Sequence, residues 1–267
     1  MDSFETRDVA RINGAEFSRD EDFVTSEDAL SITLSDKHHG RHNIGVTMRT
    51  RGEDTHLVLG FLYSEGIIDS IEHVVGVEND RDAITVTLGE QSSFDPVVHC
   101  RPSTVTSSCG ICGRSTIDDA LHMHGPELDE DLRISLETVA LCLDVMRSKQ
   151  ELFAKTGGSH ACASFNENGI VDRIFEDIGR HNAMDKLIGS YLTDRLLPAN
   201  ALTSFVSGRA SFELVQKSIR AGFPIMVAIG APSTLAVDLA NEHGMTLICF
   251  AKNDSLTVYS GVRRVSH

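Results

Sequence analysis

Between residues 203 and 252 the chain switches repeatedly between two hydrophobic periods. SFVSG (204–208), FPIMVAIG (223–230) and MTLICFAK (245–252) contain short continuous apolar runs, whereas ASFELVQKSIRAG (210–222) and STLAVDLANEHG (233–244) space their apolar residues by three and four. Short apolar runs without polar alternation read as strands buried on both faces, and helices of about 10 to 15 residues between them are the crossovers of a parallel sheet. Gly222 and Gly244 stand where the two helices should stop. This alternation predicts a three-layer α/β domain. SHACASFN (159–166) and GIVDRIFED (169–177) read as a β-hairpin at its start, GRHNAMDKLIGSYLTDR (179–195) as a helix, and SLTVYSG (255–261) as a last strand.

The upstream half has a different pattern. After a polar N-terminal stretch, ALSITLSD (29–36) and HNIGVTMRT (42–50) alternate as strands do, and VVGVEND and AITVTLGE follow the same rule around a turn at residues 79–82. Between them, DTHLVLGFLYSEG places Leu57, Val58, Phe61 and Leu62 on one helical face, with Asp54 or Thr55 as caps and Gly66 as the left-handed stop. From Ser135 a helical period runs through Phe153, carried by Leu136, Val139, Leu143 and Met146. The expected organisation is an N-terminal α+β unit over residues 1–100, a Ser-, Thr- and Gly-rich segment over 101–130, and an α/β domain over 131–267.

Charge narrows the partners. A formal net charge of -15 repels polyphosphates and anionic membrane surfaces unless cations cluster locally, and the absence of Trp with only three Tyr argues against an aromatic platform for nucleic acid. The N-terminus lacks a basic segment followed by an apolar one, and no apolar run reaches the ~18 residues of a membrane span. A cytoplasmic protein without nucleic-acid or membrane partners is expected, with a small anionic ligand still open.

Six cysteines in 267 residues are too sparse for a disulfide framework. Cys142 and Cys249 lie in apolar stretches and read as core residues; Cys100 and Cys162 are open. Cys109 and Cys112, in SSCGICGRS, form a C-x-x-C pair. Structural zinc would need two more ligands, and His122 and His124 have the wrong spacing. A deaminase-type zinc site needs a Glu two places after a ligating His, where SHACAS has Cys162. A redox couple would place the first thiol at a helix start directly after a strand, which TVTSSCGICGRST lacks. A sulfur carrier needs one accessible thiol, for which nearby Arg114 favours the thiolate; a surface loop with incidental thiols is the plain alternative. Downstream, GAPS (230–233) and SGRAS (207–211) each offer either a helix-start phosphate site or ordinary capping, while in GRHNAMDK (179–186) Arg180, His181 and Asp185 either line a pocket or decorate a helix end, a choice left undecided.

Six ordered blocks carry a resemblance: GEDTHLVLGFLYSEGII (52–68), SSCGICG (107–113), FAKTGGSHACA (153–163), EDIGRHNAMDKLIG (176–189), SGRASFELVQKSIRAG (207–222) and GAPSTLAVDLA (230–240). Together they closely resemble the formate dehydrogenase accessory sulfurtransferase family, FdhD. The resemblance implies a sulfurtransferase that takes persulfide sulfur from a cysteine desulfurase and passes it to a bis(molybdopterin guanine dinucleotide) molybdenum cofactor, a bound substrate, for formate dehydrogenase. It also implies a cytidine-deaminase-like C-terminal domain and a homodimer. By this resemblance Cys109 bears the persulfide, Cys112 is a second thiol of open role, and the guanine nucleotide portion of the cofactor binds at Phe250, Ala251, Lys252, Asn253, Asp254 and Ser255, with no resident metal. Lys252 stands where the family often has Arg, keeping the charge but losing the planar fork. The alternative reading is a zinc- or nucleotide-binding scaffold without transfer chemistry.

Overall fold

The structure is a computed structural model that describes residues 3–92, 94–96 and 125–266. The N-terminal stretch, which its polar sequence gave no reason to read as structured, is a hairpin of β1 (Phe4–Asn13) and β2 (Glu16–Thr25) paired in unbroken register from Phe4 opposite Thr25 to Asn13 opposite Glu16. Cross-strand charge replaces the apolar alternation that marks most strands: Arg11 reaches Asp22 at 3.0 Å. At its base Phe4 and Phe23 meet edge to face, and the Lys155 ammonium lies 3.5 and 4.4 Å from their ring centres.

β3 (Asp28–Asp36), β4 (Gly40–Arg49), β5 (Val74–Asp80) and β6 (Ala83–Leu88) form a four-stranded sheet in the order β4-β3-β6-β5, with β3 and β6 parallel. Helix α1 (Asp54–Ser64) buries Leu57, Val58 and Leu62 against Leu30, Ile32 and Leu34 of β3. Its start differs from expectation. Glu53 is the N-cap, with φ 57° and no side-chain cap, while Asp54 turns back to the fully buried Arg49 at 2.9 Å. A buried guanidinium requires a carboxylate more than the helix end requires a cap. Gly66 does take the left-handed conformation, φ 72°.

β7 (Ile134–Ser135) leads into α2 (Leu136–Lys149), capped by Ser135, and α3 (Glu151–Thr156). The single helix expected through Phe153 is divided at Gln150, where ψ is 74°. The break is held from a distance: Glu176 accepts the N–H groups of Leu152 and Phe153, both at 2.9 Å, so a remote carboxylate starts a new helix.

The remaining elements follow the order read from the sequence: β8 (His160–Phe165), β9 (Val171–Asp177), α4 (Arg180–Thr193), β10 (Thr203–Val206), α5 (Phe212–Arg220), β11 (Ile225–Ala228), α6 (Thr234–Glu242), β12 (Thr246–Cys249) and β13 (Thr257–Ser260). They make a mixed six-stranded sheet, β13-β12-β11-β10-β8-β9, in which β10, β11 and β12 are parallel and their neighbours on either side antiparallel. One face packs Val206, Met226 and Leu247 against Leu187 of α4, Leu214 of α5 and Leu239 of α6. The other packs Phe205, Val227 and Ile248 against Val139, Leu143 and Met146 of α2. Gly222 and Gly244, at φ 85° and 63°, close α5 and α6. A short β14 (Val265–Ser266) pairs with β7.

The two sheets are joined through helices. Cβ atoms built on Gly60 of α1 and Gly189 of α4 would lie 1.9 and 1.8 Å from the carbonyl oxygens of Asp185 and His56, so these backbones touch where no side chain intervenes. That contact brings Ser64 of α1 within 2.9 Å of the Asp185 carboxylate. Among the described residues, no helix is long and apolar enough to cross a membrane.

Candidate functional site at the strand ends

In a sheet with parallel strands, ligands lie outside the carboxyl ends, where loops and helix starts converge. Here those ends are the turns after β10, β11 and β12, joined by the start of antiparallel β8 and the end of β9. The turns interlock. Gly230 donates its N–H to the Gly208 carbonyl at 2.9 Å, Ala210 to Ala231 at 3.1 Å, and Phe250 to Gly230 at 3.2 Å. A Cβ on Gly230 would lie 2.9 Å from the Arg209 Cα and from the Gly208 oxygen, so the close approach of the two turns demands glycine.

Ser211 and Ser233, read as either phosphate-facing or capping, are caps: their hydroxyls accept the N–H groups of Leu214 and Ala236 at 3.5 and 3.3 Å. The segment 250–255 forms the turn between β12 and β13. Ala251 is buried, Lys252, Asn253, Asp254 and Ser255 are exposed, and the Lys252 N–H closes the turn on the Ser255 carbonyl at 2.8 Å. Asn253 is tied to Asp144 of α2 at 2.8 Å. Phe250 has φ 51°, one of three non-glycine residues with positive φ among those described, and its ring is 44% exposed. The turn therefore holds an aromatic residue in a costly backbone conformation at the surface, its ring centre 6.4 Å from that of Tyr259.

Further along the edge, His160 at the start of β8 and Arg180 at the start of α4 reach over Gly208: a Cβ there would lie 3.6 Å from His160 Nδ1 and 3.8 Å from Arg180 Cδ. Burial and then the Arg180 charge hold the His160 imidazole below its ordinary range. His181, one residue on, points elsewhere, its Nε2 lying 3.3 Å from both Ser211 Oγ and the Glu213 carboxylate.

Beneath these groups lies a buried ionic layer that the sequence did not disclose. Lys217 of α5 donates to both oxygens of Asp185 at 2.8 and 2.9 Å and lies 3.8 Å from Glu213. Lys186 contacts Asp177 at 2.7 Å and the Thr50 carbonyl at 3.0 Å. Burial raises the Asp185 carboxyl to about 6 although Lys217 opposes the shift, while Asp185, Glu213 and Glu65 around Lys217 outweigh its burial and keep it charged. Asp185, undecided from sequence, therefore belongs to the scaffold. Its i,i+1 neighbour Lys186 and the i,i+4 pair Glu213–Lys217 were the available signals, but neither reveals burial.

Cys109 and Cys112 lie outside the described residues, as do Cys100, His122 and His124. The described cysteines, Cys142, Cys162 and Cys249, are all buried. Burial pushes the Cys142 and Cys249 thiols up to about 12 and Cys162 higher still, so none of the three is an available thiolate. No group of three or more metal-ligating side chains occurs among the described residues.

Comparison with known proteins places this geometry in a family. The FdhD/NarQ family matches residues 25–266. A protein of Thermoplasma acidophilum named sulfur carrier protein FdhD is 41% identical over 98% of this chain and 94% of its own length. One of the same name from Saccharolobus solfataricus is 39% identical over 97% of this chain and 96% of its own. A solved structure from Desulfotalea psychrophila, provisionally assigned as a formate dehydrogenase accessory protein, shares the fold with a TM-score of 0.82 at 22% identity, covering 99% of this chain and 100% of that one. With a family match over nearly its whole length and full-length relatives near 40% identity, the chain belongs to the FdhD/NarQ family.

Proposed function

We propose that the protein is a cytoplasmic sulfur carrier for formate dehydrogenase maturation, loading sulfur on Cys109 and holding the acceptor cofactor at the strand ends. Full-length similarity to proteins named sulfur carriers supports the transfer role. The burial of Cys142, Cys162 and Cys249 leaves the carrier thiol to Cys100, Cys109 or Cys112, of which Cys109 is the residue the family pattern selects. In the loading step the Cys109 thiolate attacks the outer sulfur of the desulfurase persulfide. The new S–S bond forms as the donor's bond breaks, and the donor cysteine leaves as thiolate, so no external oxidant or reductant is needed.

The acceptor in this reading is the bis(molybdopterin guanine dinucleotide) cofactor, bound as substrate. The observation that carries this part is Phe250, an exposed ring in a left-handed turn beside the Lys252 cation, which offers a base a stacking face and a phosphate a charge. The layering of the six-stranded sheet is read as cytidine-deaminase-like, without deaminase chemistry, and a homodimer is expected, which light scattering tests. Intact-protein mass analysis after incubation with a cysteine desulfurase and cysteine tests the carrier role. A scaffold without transfer chemistry would take up no sulfur.

A further inference from the structure

Arg180 is placed where a cation is least expected. It is the first residue of α4, at the positive end of the helix, in a first turn that contains no acidic residue. The nearby carboxylates are already engaged: Asp177 by Lys186 at 2.7 Å, and Glu213 by Lys217 at 3.8 Å, with the His181 ring nitrogen 3.3 Å from it. Arg180 Nε is buried and has no hydrogen-bond partner among the described residues, and none of them forms an ion pair with its guanidinium. In a chain with a net charge of -15, leaving a half-buried arginine unmatched is a structural cost. The cost is explained if an anion comes from outside.

The sheet order gives that anion a length. From the Phe250 turn at the end of β12, across β11 and β10, to His160 and Arg180 at β8 is three strand spacings, about 14 Å. Gly230 and Gly208 lie between and put no side chain on this floor. We propose that Arg180, with His160 beside it over Gly208, seats the diphosphate of an extended nucleotide-type ligand whose base lies at Phe250. This rests on the cofactor reading above and assigns Arg180 a binding role and His160 a positioning one. Arg180 supplies a planar donor fork suited to phosphate oxygens.

The test is calorimetric titration of the full chain with GDP and, separately, inorganic pyrophosphate at low salt, using wild type, Arg180→Gln and Arg180→Lys, with thermal melts alongside. Arg180→Gln should weaken both ligands about tenfold or more, and Arg180→Lys should recover part of the loss. Because the glutamine relieves a cation at a helix N-terminus, its Tm should rise by about 1–2 °C while binding falls. Wild-type binding of both ligands by Arg180→Gln would overturn the proposal, as would a loss of binding accompanied by a fall in Tm that lysine does not repair. Pyrophosphate binding through Arg180 without GDP binding would keep the anion seat and remove the guanine nucleotide. GDP binding indifferent to Arg180 would do the reverse, and binding of neither would remove both.

Discussion

Lys217 and Arg180 are both cations on the helix layer that covers one face of the main sheet, and their surroundings could hardly differ more. Lys217 is 2% exposed and is held by Asp185, with Glu213 close by and Ser64 completing the carboxylate's contacts. Arg180, at the strand ends, has no carboxylate partner among the described residues, and the exposed Arg209 and Lys252 on the same edge have none either. Burial makes an unpaired charge expensive, so charges that hold the fold together must be matched within it. Charges left unmatched at an edge where loops converge are available to a ligand. The contrast separates a layer that fixes the helices from a rim to which the proposed function assigns binding, and each side can be attacked by substitution.

The largest effect is expected from the matched layer. Asp185→Ala leaves Lys217 buried without its hydrogen-bonded carboxylate, with Glu213 and Glu65 farther off, and should destabilise the fold by about 3–5 kcal/mol in chemical denaturation. An unchanged midpoint would mean the layer is not structural. A smaller, pH-dependent effect comes from the same carboxyl. Its proton is held more tightly in the folded state, at about 6 against an ordinary 3.8, because burial penalises the charge. That contribution is fully present below pH 3.8 and is lost as pH rises through about 6. Asp185→Asn should therefore flatten the fall in stability across this window, measured by denaturation at several pH values.

On the rim, Lys252→Glu should weaken GDP about tenfold at low salt and leave stability unchanged, since it reverses an exposed cation beside the proposed base site. Equal affinity by calorimetry would remove Lys252 from the site. Ser211→Ala gives the smallest effect: it removes the α5 cap, which should cost about 1 kcal/mol, with GDP affinity retained because the hydroxyl already serves the helix. Loss of binding without loss of stability would return Ser211 to the rim.

How much of this was legible depends on whether the determinant was local. β10, β11 and β12 with their helices could be read directly because apolar period and glycine stops lie within each segment. The β1–β2 hairpin could not, because its register is supported by charge pairs such as Arg11–Asp22 rather than by apolar alternation. The break at Gln150 depends on Glu176, more than twenty residues away, and the start of α1 on Arg49 drawing Asp54 inward. At the candidate site, the assignment of the 250–255 turn to the cofactor rests on family resemblance, since nothing in its own sequence sets it apart from an ordinary strand-to-strand turn. Its neighbours His160 and Arg180 meet over Gly208 only because β8 runs antiparallel to β10. Asp185 and Lys217 become a pair through the packing of α4 on α5, which no spacing within either helix encodes.

The central claim is that sulfur travels on Cys109. Peptide mapping by mass spectrometry after loading with a cysteine desulfurase and cysteine tests it most directly. The account predicts one added sulfur atom on the fragment containing Cys109, released by reductant and absent from Cys109→Ala, whose stability and GDP binding stay at wild-type levels. Sulfur found on Cys162 or Cys249 instead, or full formate dehydrogenase activity in cells whose only copy is Cys109→Ala, would contradict it.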